Sequence, residues 1–195
     1  MSVSVVRVTS RRAPTIRWSC SSCGGPRPFE CSERFRANAN GKRVDIWLIY
    51  RCTRCDRTKN LTVVERQRVA SVPRALLDAA HCNDAAVARA VARDRSLLRR
   101  NGAAVVEGDD WITDGTADRD AILDLPEPLL IRLDTVAAAV LGVSRSVVRA
   151  GALEVDAAGR TDALSLWRGP LRIRWAADER PRRSTPGAGG RPAGR

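Results

Sequence analysis

Two cysteine pairs constrain this chain more than any other feature. Cys20 and Cys23 form one CxxC pair, Cys52 and Cys55 form the other, and 28 residues separate the pairs. A CxxC turn places two thiolates near one corner of a tetrahedron, and a second turn completes the four-sulfur shell that zinc prefers. The pattern therefore predicts one structural zinc ion bound by these four cysteines.

The sequence alone leaves other interpretations of the cysteines open. They could be reduced thiols without a ligand, or disulfides, and iron also occupies sites with four sulfurs. Cys31 lies between the pairs without a partner at ligand spacing, and it could replace one of the ligands. Cys82 falls in a helical segment and is interpreted as a small buried hydrophobic residue.

The segments around the cysteine pairs have the composition of β-strands. Valine-rich residues 2–8 predict a first strand, and residues 34–40 and 44–51 predict two more. Asn40-Gly41 between them favours a tight hairpin, because both residues tolerate positive φ. Residues 60–66 predict a further strand after the second pair. We expect an antiparallel β zinc ribbon over residues 1–70.

Residues 71–102 predict a central helical hairpin packed on the ribbon. The first helix begins near Ser71-Val72-Pro73 and falters near Cys82. Asp84 is positioned to cap a second helix that continues to Asn101-Gly102. Arg89, Arg93 and Arg100 fall on adjacent turns of it, and we interpret this row as a solvated face, with phosphate contact as the alternative.

The second half of the chain predicts a smaller module after an acidic connector. Residues 103–130 are the connector: one arginine stands against eight acids over 101–129. Residues 131–176 predict two short helices, the first ended by Gly142 and the second ended by Gly151. Further predictions are a strand over 152–155, a hairpin formed by residues 164–167 and 171–175, and a disordered tail over 177–195. The expected fold class is α+β.

The charge of the chain points to an anionic polymer as its partner. Lys+Arg number 34 and Asp+Glu 22, giving a net charge of +12, and residues 1–70 hold 15 basic against 5 acidic side chains. Arginine offers a planar fork of donors that suits phosphate, although a GC-rich genome would also enrich arginine. No apolar run is long enough to span a membrane, and the N-terminus lacks a signal-peptide pattern, so we expect a cytoplasmic protein.

Residues around the second cysteine pair resemble a known family. The residues that carry the resemblance are 38–42, 45–52, Cys55, 60–62 and 65–66. This pattern resembles bacterial domain-of-unknown-function family 1062. The resemblance implies a metal-ribbon-like N-terminal part and no established activity.

A second resemblance concerns residues 131–175. Arg132-Leu133-Asp134, Gly142-Val143-Ser144-Arg145-Ser146 and Trp167 to Ile173 resemble the alpha-L RNA-binding motif of a small-subunit ribosomal protein. The resemblance implies that Arg132, Arg145 and Arg149 contact RNA phosphates and sugars. Five residues separate Arg145 from Gly151, so the second helix is about one turn shorter than in the motif. A generic α+β packing unit is the alternative.

These observations predict a non-enzymatic zinc-ribbon protein that binds structured RNA. Arg36 and Arg43 are expected to contact phosphates beside Trp47, Tyr50 and Phe35, which could stack on bases, although the ribbon core is the favoured place for Trp47. DNA binding in transcription and a zinc-stabilised protein–protein adaptor are the alternatives. The sequence has no nucleotide-binding or hydrolase motif, and four cysteines would leave the metal no open position, so we expect no catalysis.

Overall fold

The structure, a computed structural model, describes residues 3–150 and 153–175. Its described part is mostly strands with five α-helices, which confirms the α+β class. The strands are β1 (Ser4–Arg12), β2 (Thr15–Cys20), β3 (Gly25–Asn40), β4 (Arg43–Cys52), β5 (Thr58–Arg68), β6 (Ala104–Glu107), β7 (Asp110–Thr113), β8 (Asp120–Asp124), β9 (Leu129–Arg132), β10 (Leu153–Val155), β11 (Leu164–Trp167) and β12 (Leu171–Trp175). The helices are α1 (Arg74–Cys82), α2 (Ala85–Ala92), α3 (Arg95–Arg100), α4 (Leu133–Leu141) and α5 (Arg145–Ala150).

The chain divides into two compact units that are not consecutive segments. The cysteine unit comprises residues 10–112 and 128–130, and the second unit comprises the described residues of 1–9, 113–127 and 131–175. The first strand therefore begins in the second unit instead of the ribbon, because Ser4–Arg7 pairs in parallel with Ala121–Asp124 of β8. This pairing joins residues more than a hundred positions apart, and no local sequence signal specifies it.

The cysteine unit is built on an antiparallel sheet with the strand order β5-β4-β3-β2-β6. Side chains of β4 alternate along the strand: Val44, Ile46, Leu48 and Tyr50 are buried. Alternation of this kind places one set of side chains on each face of a sheet. One face therefore forms the core of the unit, and the helices α1, α2 and α3 pack on it.

Three α-helices, not the expected two, lie between β5 and β6. Asn83 adopts a left-handed conformation that ends α1, and the Asp84 carboxylate accepts a hydrogen bond from the backbone N–H of Val87 as the cap of α2. The predicted second helix breaks at Asp94, whose carboxylate accepts from the N–H groups of Ser96 and Leu97. An aspartate that binds these N–H groups starts a new helix, which is why α3 is separate.

In the second unit, four neighbouring strands have the order β10-β12-β8-β1. Strand β12 pairs antiparallel with both β8 and β10, whereas β11 belongs to a separate two-stranded sheet. The predicted hairpin of residues 164–167 and 171–175 is therefore wrong. Helix α4 contributes the buried side chains of Leu133, Val136 and Val140, and Gly142 ends it with φ +66°, as expected.

Residues 103–130, expected to be an acidic connector, hold β6, β7, β8 and the start of β9. In β8, Ala121 and Leu123 are buried, while Asp120 and Asp124 alternate with them and form ion pairs with arginines. Two of the acids that form the charge run in the sequence, Asp120 and Asp124, therefore lie on the outer side of a strand. Ion pairing with β1 and β12 offsets their charge.

Two expectations fall on residues that the structure does not describe. Gly151, expected to end α5, and the tail over residues 177–195 lie outside the described residues. Over residues 3–150 and 153–175, no helix is long and apolar enough to cross a membrane.

Candidate functional site

The order of strands brings the two CxxC turns together. Cys20 ends β2, and the turn containing Cys23 leads into β3; Cys52 ends β4, and the turn containing Cys55 leads towards β5. In an antiparallel meander, alternate turns lie at the same end of the sheet. The β2–β3 and β4–β5 turns therefore meet, and the 28 residues between the pairs are accounted for by Gly24, β3, β4 and the two-residue turn Gly41-Lys42. Asn40, expected in this turn, ends β3 and pairs with Arg43.

The four thiols form a compact cluster. The Sγ atoms of Cys20, Cys23, Cys52 and Cys55 all lie within 4.8 Å of one another. Cys20 Sγ lies 3.6 Å from Cys55 Sγ, and Cys23 Sγ lies 4.0 Å from Cys52 Sγ. A tetrahedral site with metal–sulfur distances of about 2.3 Å has sulfur–sulfur edges of about 3.8 Å. The cluster could therefore hold one metal ion with modest adjustment.

Backbone hydrogen bonds fix the second turn against the sheet. The N–H of Thr53 donates to the carbonyl of Pro28 at 3.1 Å, and the N–H of Cys52 donates to the carbonyl of Arg57 at 3.0 Å. Asp56 has φ +57°, which reverses the chain after the pair. Because these bonds tie the β4–β5 turn to β3, the thiol positions follow from the sheet.

The thiols in the cluster perturb one another's protonation. Burial raises the pKa of Cys20, but the Cys23 N–H and the neighbouring thiols lower it to about 7 in total. Hydrogen bonding with Cys55 is the largest cause that raises the pKa of Cys23 to about 12. One thiol of such a cluster loses its proton easily, and the retained proton of a neighbour stabilises the thiolate. A metal ion would displace the remaining protons, because it binds thiolates.

Lys59 and Trp18 support the cluster from the sheet, and sequence analysis missed both. The Lys59 ammonium lies 4.0 Å from the centre of the Trp18 ring and donates to the carbonyl of Ser19 at 3.1 Å. Burial lowers the pKa of Lys59, and the Cys20 thiolate opposes that shift. A cation at this position offsets part of the negative charge of four thiolates. Only the register that pairs Lys59 with Tyr50 places it there.

The two remaining cysteines lie outside the cluster. Cys31 is half-buried at an irregularity of β3, where its sulfur accepts a hydrogen bond from the Glu33 N–H at 3.3 Å, and burial raises its pKa to about 12. Cys82 is exposed at the last residue of α1, so its interpretation as a buried residue is wrong. Helix α1 ends at Cys82, and its buried residues are Ala79 and Ala80.

The face of the sheet opposite the helices carries two of the predicted nucleic-acid contacts. We call it the open sheet face and define it by Arg36, Arg43, Trp47 and Ile49. The Arg36 guanidinium lies 5.8 Å from the centre of the Trp47 ring. Trp47 is half-buried on this face and not in the core, contrary to the expectation from sequence. The alternation along β4 directs Ile46 and Leu48 into the core and Trp47 to the other face of the sheet.

The other two aromatic candidates are unavailable for stacking. Tyr50 and Phe35 are 0% and 6% exposed, and both belong to the core of the cysteine unit. Arg43 is exposed and donates one guanidinium hydrogen bond to the carbonyl of Arg66 at 2.7 Å. Trp47 is therefore the aromatic side chain of the predicted three that remains accessible on the open sheet face.

The structure brings Arg132, Arg145 and Arg149 together around one carboxylate. Their side chains lie within 3.4, 3.3 and 2.9 Å of Asp134 Oδ2, which is 1% exposed. Burial raises the pKa of Asp134, and the hydrogen bonds and charges of the arginines outweigh it, so the pKa is lowered. The sequence carries no local signal for this role of Asp134, because its hydrogen bond with Arg149 joins residues 15 positions apart.

Comparisons with known proteins place the chain in a family. The model of a protein family described as "Protein of unknown function (DUF1062)" matches residues 37–156, which is more than half of the chain. No curated protein and no solved structure matches the sequence. The match confirms the family resemblance and supplies no activity.

Proposed function

Because the chain belongs to the family described as protein of unknown function (DUF1062), which supplies no activity, we propose a function from its own geometry. We propose that it is a non-enzymatic nucleic-acid-binding protein. One structural zinc ion holds its cysteine unit, and the protein binds structured RNA through arginine–phosphate contacts. Unpaired bases in RNA loops stack on an aromatic side chain of the protein.

The proposal of zinc rests on the chemistry of the four sulfurs. Thiolates are soft ligands that favour zinc and iron, and zinc accepts a tetrahedral shell of four cysteines. Cys20 and Cys52 are buried, whereas Cys55 is exposed. Four protein ligands leave no coordination position for a water or a substrate, which supports a structural role over a catalytic one.

The proposal of RNA binding is carried by one observation, the contact between Arg36 and Trp47 on the open sheet face. A half-buried tryptophan beside a guanidinium provides a flat surface on which an unpaired base can stack. Arg43 lies on the same strand face four residues from Trp47. Arginines at this spacing can contact the phosphates on either side of a stacked base.

The test measures binding of the full chain, loaded with zinc, to a labelled RNA hairpin by fluorescence anisotropy over a series of salt concentrations. We expect Arg36→Ala/Arg43→Ala to reduce the slope of log affinity against log salt by about 0.7 for each lost contact with single-stranded RNA. Trp47→Ala is expected to cost about 1–3 kcal/mol of binding with little change in the slope. Trp47→Phe should retain most of the affinity.

Two matched controls separate this surface from general basicity. Arg99→Ala/Arg100→Ala removes the same charge from the exposed end of α3, and Trp111→Ala removes a half-buried tryptophan from β7. Equal loss of affinity in the test and control variants would overturn the open sheet face as the binding surface. Competition with duplex DNA at one salt concentration decides between RNA and DNA, and preference for the duplex would overturn the choice of RNA.

A further inference from the structure

Three arginines of the second unit converge on the single buried carboxylate of Asp134. Arg149 Nε donates to Asp134 Oδ2 at 2.9 Å, Arg145 Nε lies 3.3 Å from the same oxygen, and Arg132 contacts both oxygens at 3.4 Å. Thr135 Oγ1 also donates to Asp134 Oδ1 at 3.2 Å. Asp134 therefore holds three side chains in one place.

The cluster has more positive charge than Asp134 needs. A buried carboxylate requires a compensating cation, and one arginine supplies it. Three arginines and one carboxylate leave a net charge of +2. The neighbouring Arg160 and Asp162 pair with each other at 3.0 Å, so they do not change this balance.

The donors of the cluster are directed so that part of each guanidinium remains available. Arg145 and Arg149 contact Asp134 through Nε, and within residues 3–150 and 153–175 their terminal nitrogens donate no hydrogen bond to a carboxylate. The side chains of Arg132, Arg145 and Arg149 are 35%, 43% and 45% exposed, whereas Asp134 is 1% exposed. The carboxylate therefore lies below the protein surface, whereas the guanidinium ends of the three arginines lie at the surface.

We propose that Arg132, Arg145 and Arg149 form a binding site for a phosphate monoester, with Asp134 as the residue that positions them. A monoester carries nearly two negative charges at neutral pH, which matches the excess charge of the cluster. A phosphodiester carries one, and successive diesters would need arginines spread along a track. Convergence on one carboxylate favours a single, more highly charged group.

The carrier of the monoester is the 5′-phosphate end of a nucleic acid strand, and this part of the inference rests on the proposed function. Inorganic phosphate offers the same chemistry without a strand. The two sources are separated by measuring both ligands on the full chain. The phosphate site itself is independent of the open sheet face, since it uses different residues.

The first experiment compares a 5′-phosphorylated RNA oligonucleotide with the same oligonucleotide bearing a 5′-hydroxyl, together with titration of inorganic phosphate by calorimetry. We expect the phosphorylated strand to bind about tenfold tighter, because two or more charge-assisted hydrogen bonds are gained. Arg145→Lys/Arg149→Lys retains the charge and loses the planar fork, so it should abolish most of this preference. Arg99→Ala/Arg100→Ala should keep it.

The second experiment distinguishes positioning from net charge. Asp134→Asn adds one positive charge to the cluster, so charge alone predicts tighter binding of phosphate. Positioning by Asp134 predicts weaker binding, since the three arginines lose the group that orients them. If Asp134→Asn does not fold, as judged by its circular dichroism spectrum, the lysine double variant decides in its place.

The outcomes of these experiments are separable from those of the proposed function. A strand that binds equally with 5′-phosphate and 5′-hydroxyl, with no detectable binding of inorganic phosphate, would overturn the phosphate site and leave RNA binding intact. Phosphate binding that the lysine double variant abolishes, in a protein that does not bind RNA, would support the site and overturn the proposed function. Tighter phosphate binding by a folded Asp134→Asn would overturn the positioning role.

Discussion

Arg93 and Asp109 form an ion pair inside the cysteine unit, and their side chains are 3% and 0% exposed. Arg93 Nε lies 3.0 Å from both carboxylate oxygens, and Arg93 Nη2 donates to Oδ1 at 2.8 Å. Asp109 also accepts a hydrogen bond from the N–H of Leu130 at 2.6 Å. The interpretation of Arg93 as part of a solvated row is therefore wrong, because the carboxylate that neutralises it lies 16 residues further on.

We predict that Asp109→Asn destabilises the protein by about 3–5 kcal/mol, because it leaves the Arg93 charge buried without its counter-ion. Urea unfolding followed by circular dichroism measures the change. The matched control is Asp78→Asn, which breaks the exposed i to i+4 pair with Arg74. That variant should cost at most about 0.5 kcal/mol. A similar loss of unfolding free energy in both variants would show that burial of the Arg93–Asp109 pair does not increase its contribution to stability.

Cysteine substitution should separate metal ligands from bystanders. We predict one bound metal ion per chain, with loss of the ion in Cys20→Ser and Cys52→Ser. Structural zinc contributes about 10–16 kcal/mol of apparent binding energy in small domains, so loss of a ligand is expected to unfold the cysteine unit. Elemental analysis and thermal melting with and without chelator measure both effects.

Cys82→Ser is the control for the metal prediction, because Cys82 is exposed and lies outside the cluster. It should bind the same ion and melt within a few degrees of the parent. Iron in place of zinc would revise the metal and keep the site. A folded, metal-free Cys20→Ser/Cys52→Ser double variant with an unchanged melting temperature would contradict a structural metal.

The cap of α3 should give a pH-dependent contribution to stability. The hydrogen bond from the Leu97 N–H is the first cause that lowers the pKa of Asp94 below 3.8, its ordinary value. The folded pKa is therefore below the unfolded one, so the stabilisation is present above pH 3.8 and is lost as the pH falls through the folded pKa.

Asp94→Ala is expected to lose about 1 kcal/mol of unfolding free energy at neutral pH, and less in acid. Asp94→Asn keeps an oxygen acceptor, so it should lose little at neutral pH and show no titration of its own. Unfolding measured at several pH values compares the three proteins. An equal difference between parent and Asp94→Ala at all pH values would contradict the titrating cap.

The backbone passes close to Gly169, and this predicts intolerance of a side chain. A Cβ built on Gly169 would lie 2.6 Å from the backbone nitrogen of Leu125. Gly169→Ala should therefore cost about 1–3 kcal/mol through displacement of packed backbone. Gly115→Ala is the control, since a Cβ there meets nothing within 4 Å. Chemical unfolding of the two variants tests the difference, and similar values would contradict the close approach.

Much of the cysteine unit follows from local patterns in the sequence. The spacing of Cys23 and Cys52, the turn at Gly41 and the alternation along β4 together specify a meander whose turns bring thiols to one end. The helix caps at Asp84 and Gly142 were also predictable, because each acts on residues within one turn of it. Trp47 was assigned to the wrong face, since both faces of β4 carry large apolar residues.

The pairings that sequence analysis missed are long-range. Strand β1 pairs with β8, Arg93 pairs with Asp109, and Asp134 gathers three arginines, of which Arg145 and Arg149 belong to a different helix. Each depends on which surfaces pack together once the elements exist. Charged residues carry no periodic signal that distinguishes a buried partner from a solvated one.

The order of residues by itself determined a four-thiol cluster, an α+β chain and an arginine-rich surface, because spacing, alternation and charge act over a few positions. Tertiary structure alone decided which arginines remain available. Arg93 forms a buried ion pair with Asp109, whereas Arg36 lies over the half-buried ring of Trp47. The physical reason is that the environment of a charge is set by distant segments that fold against it, and solvent exposure is a property of that packing.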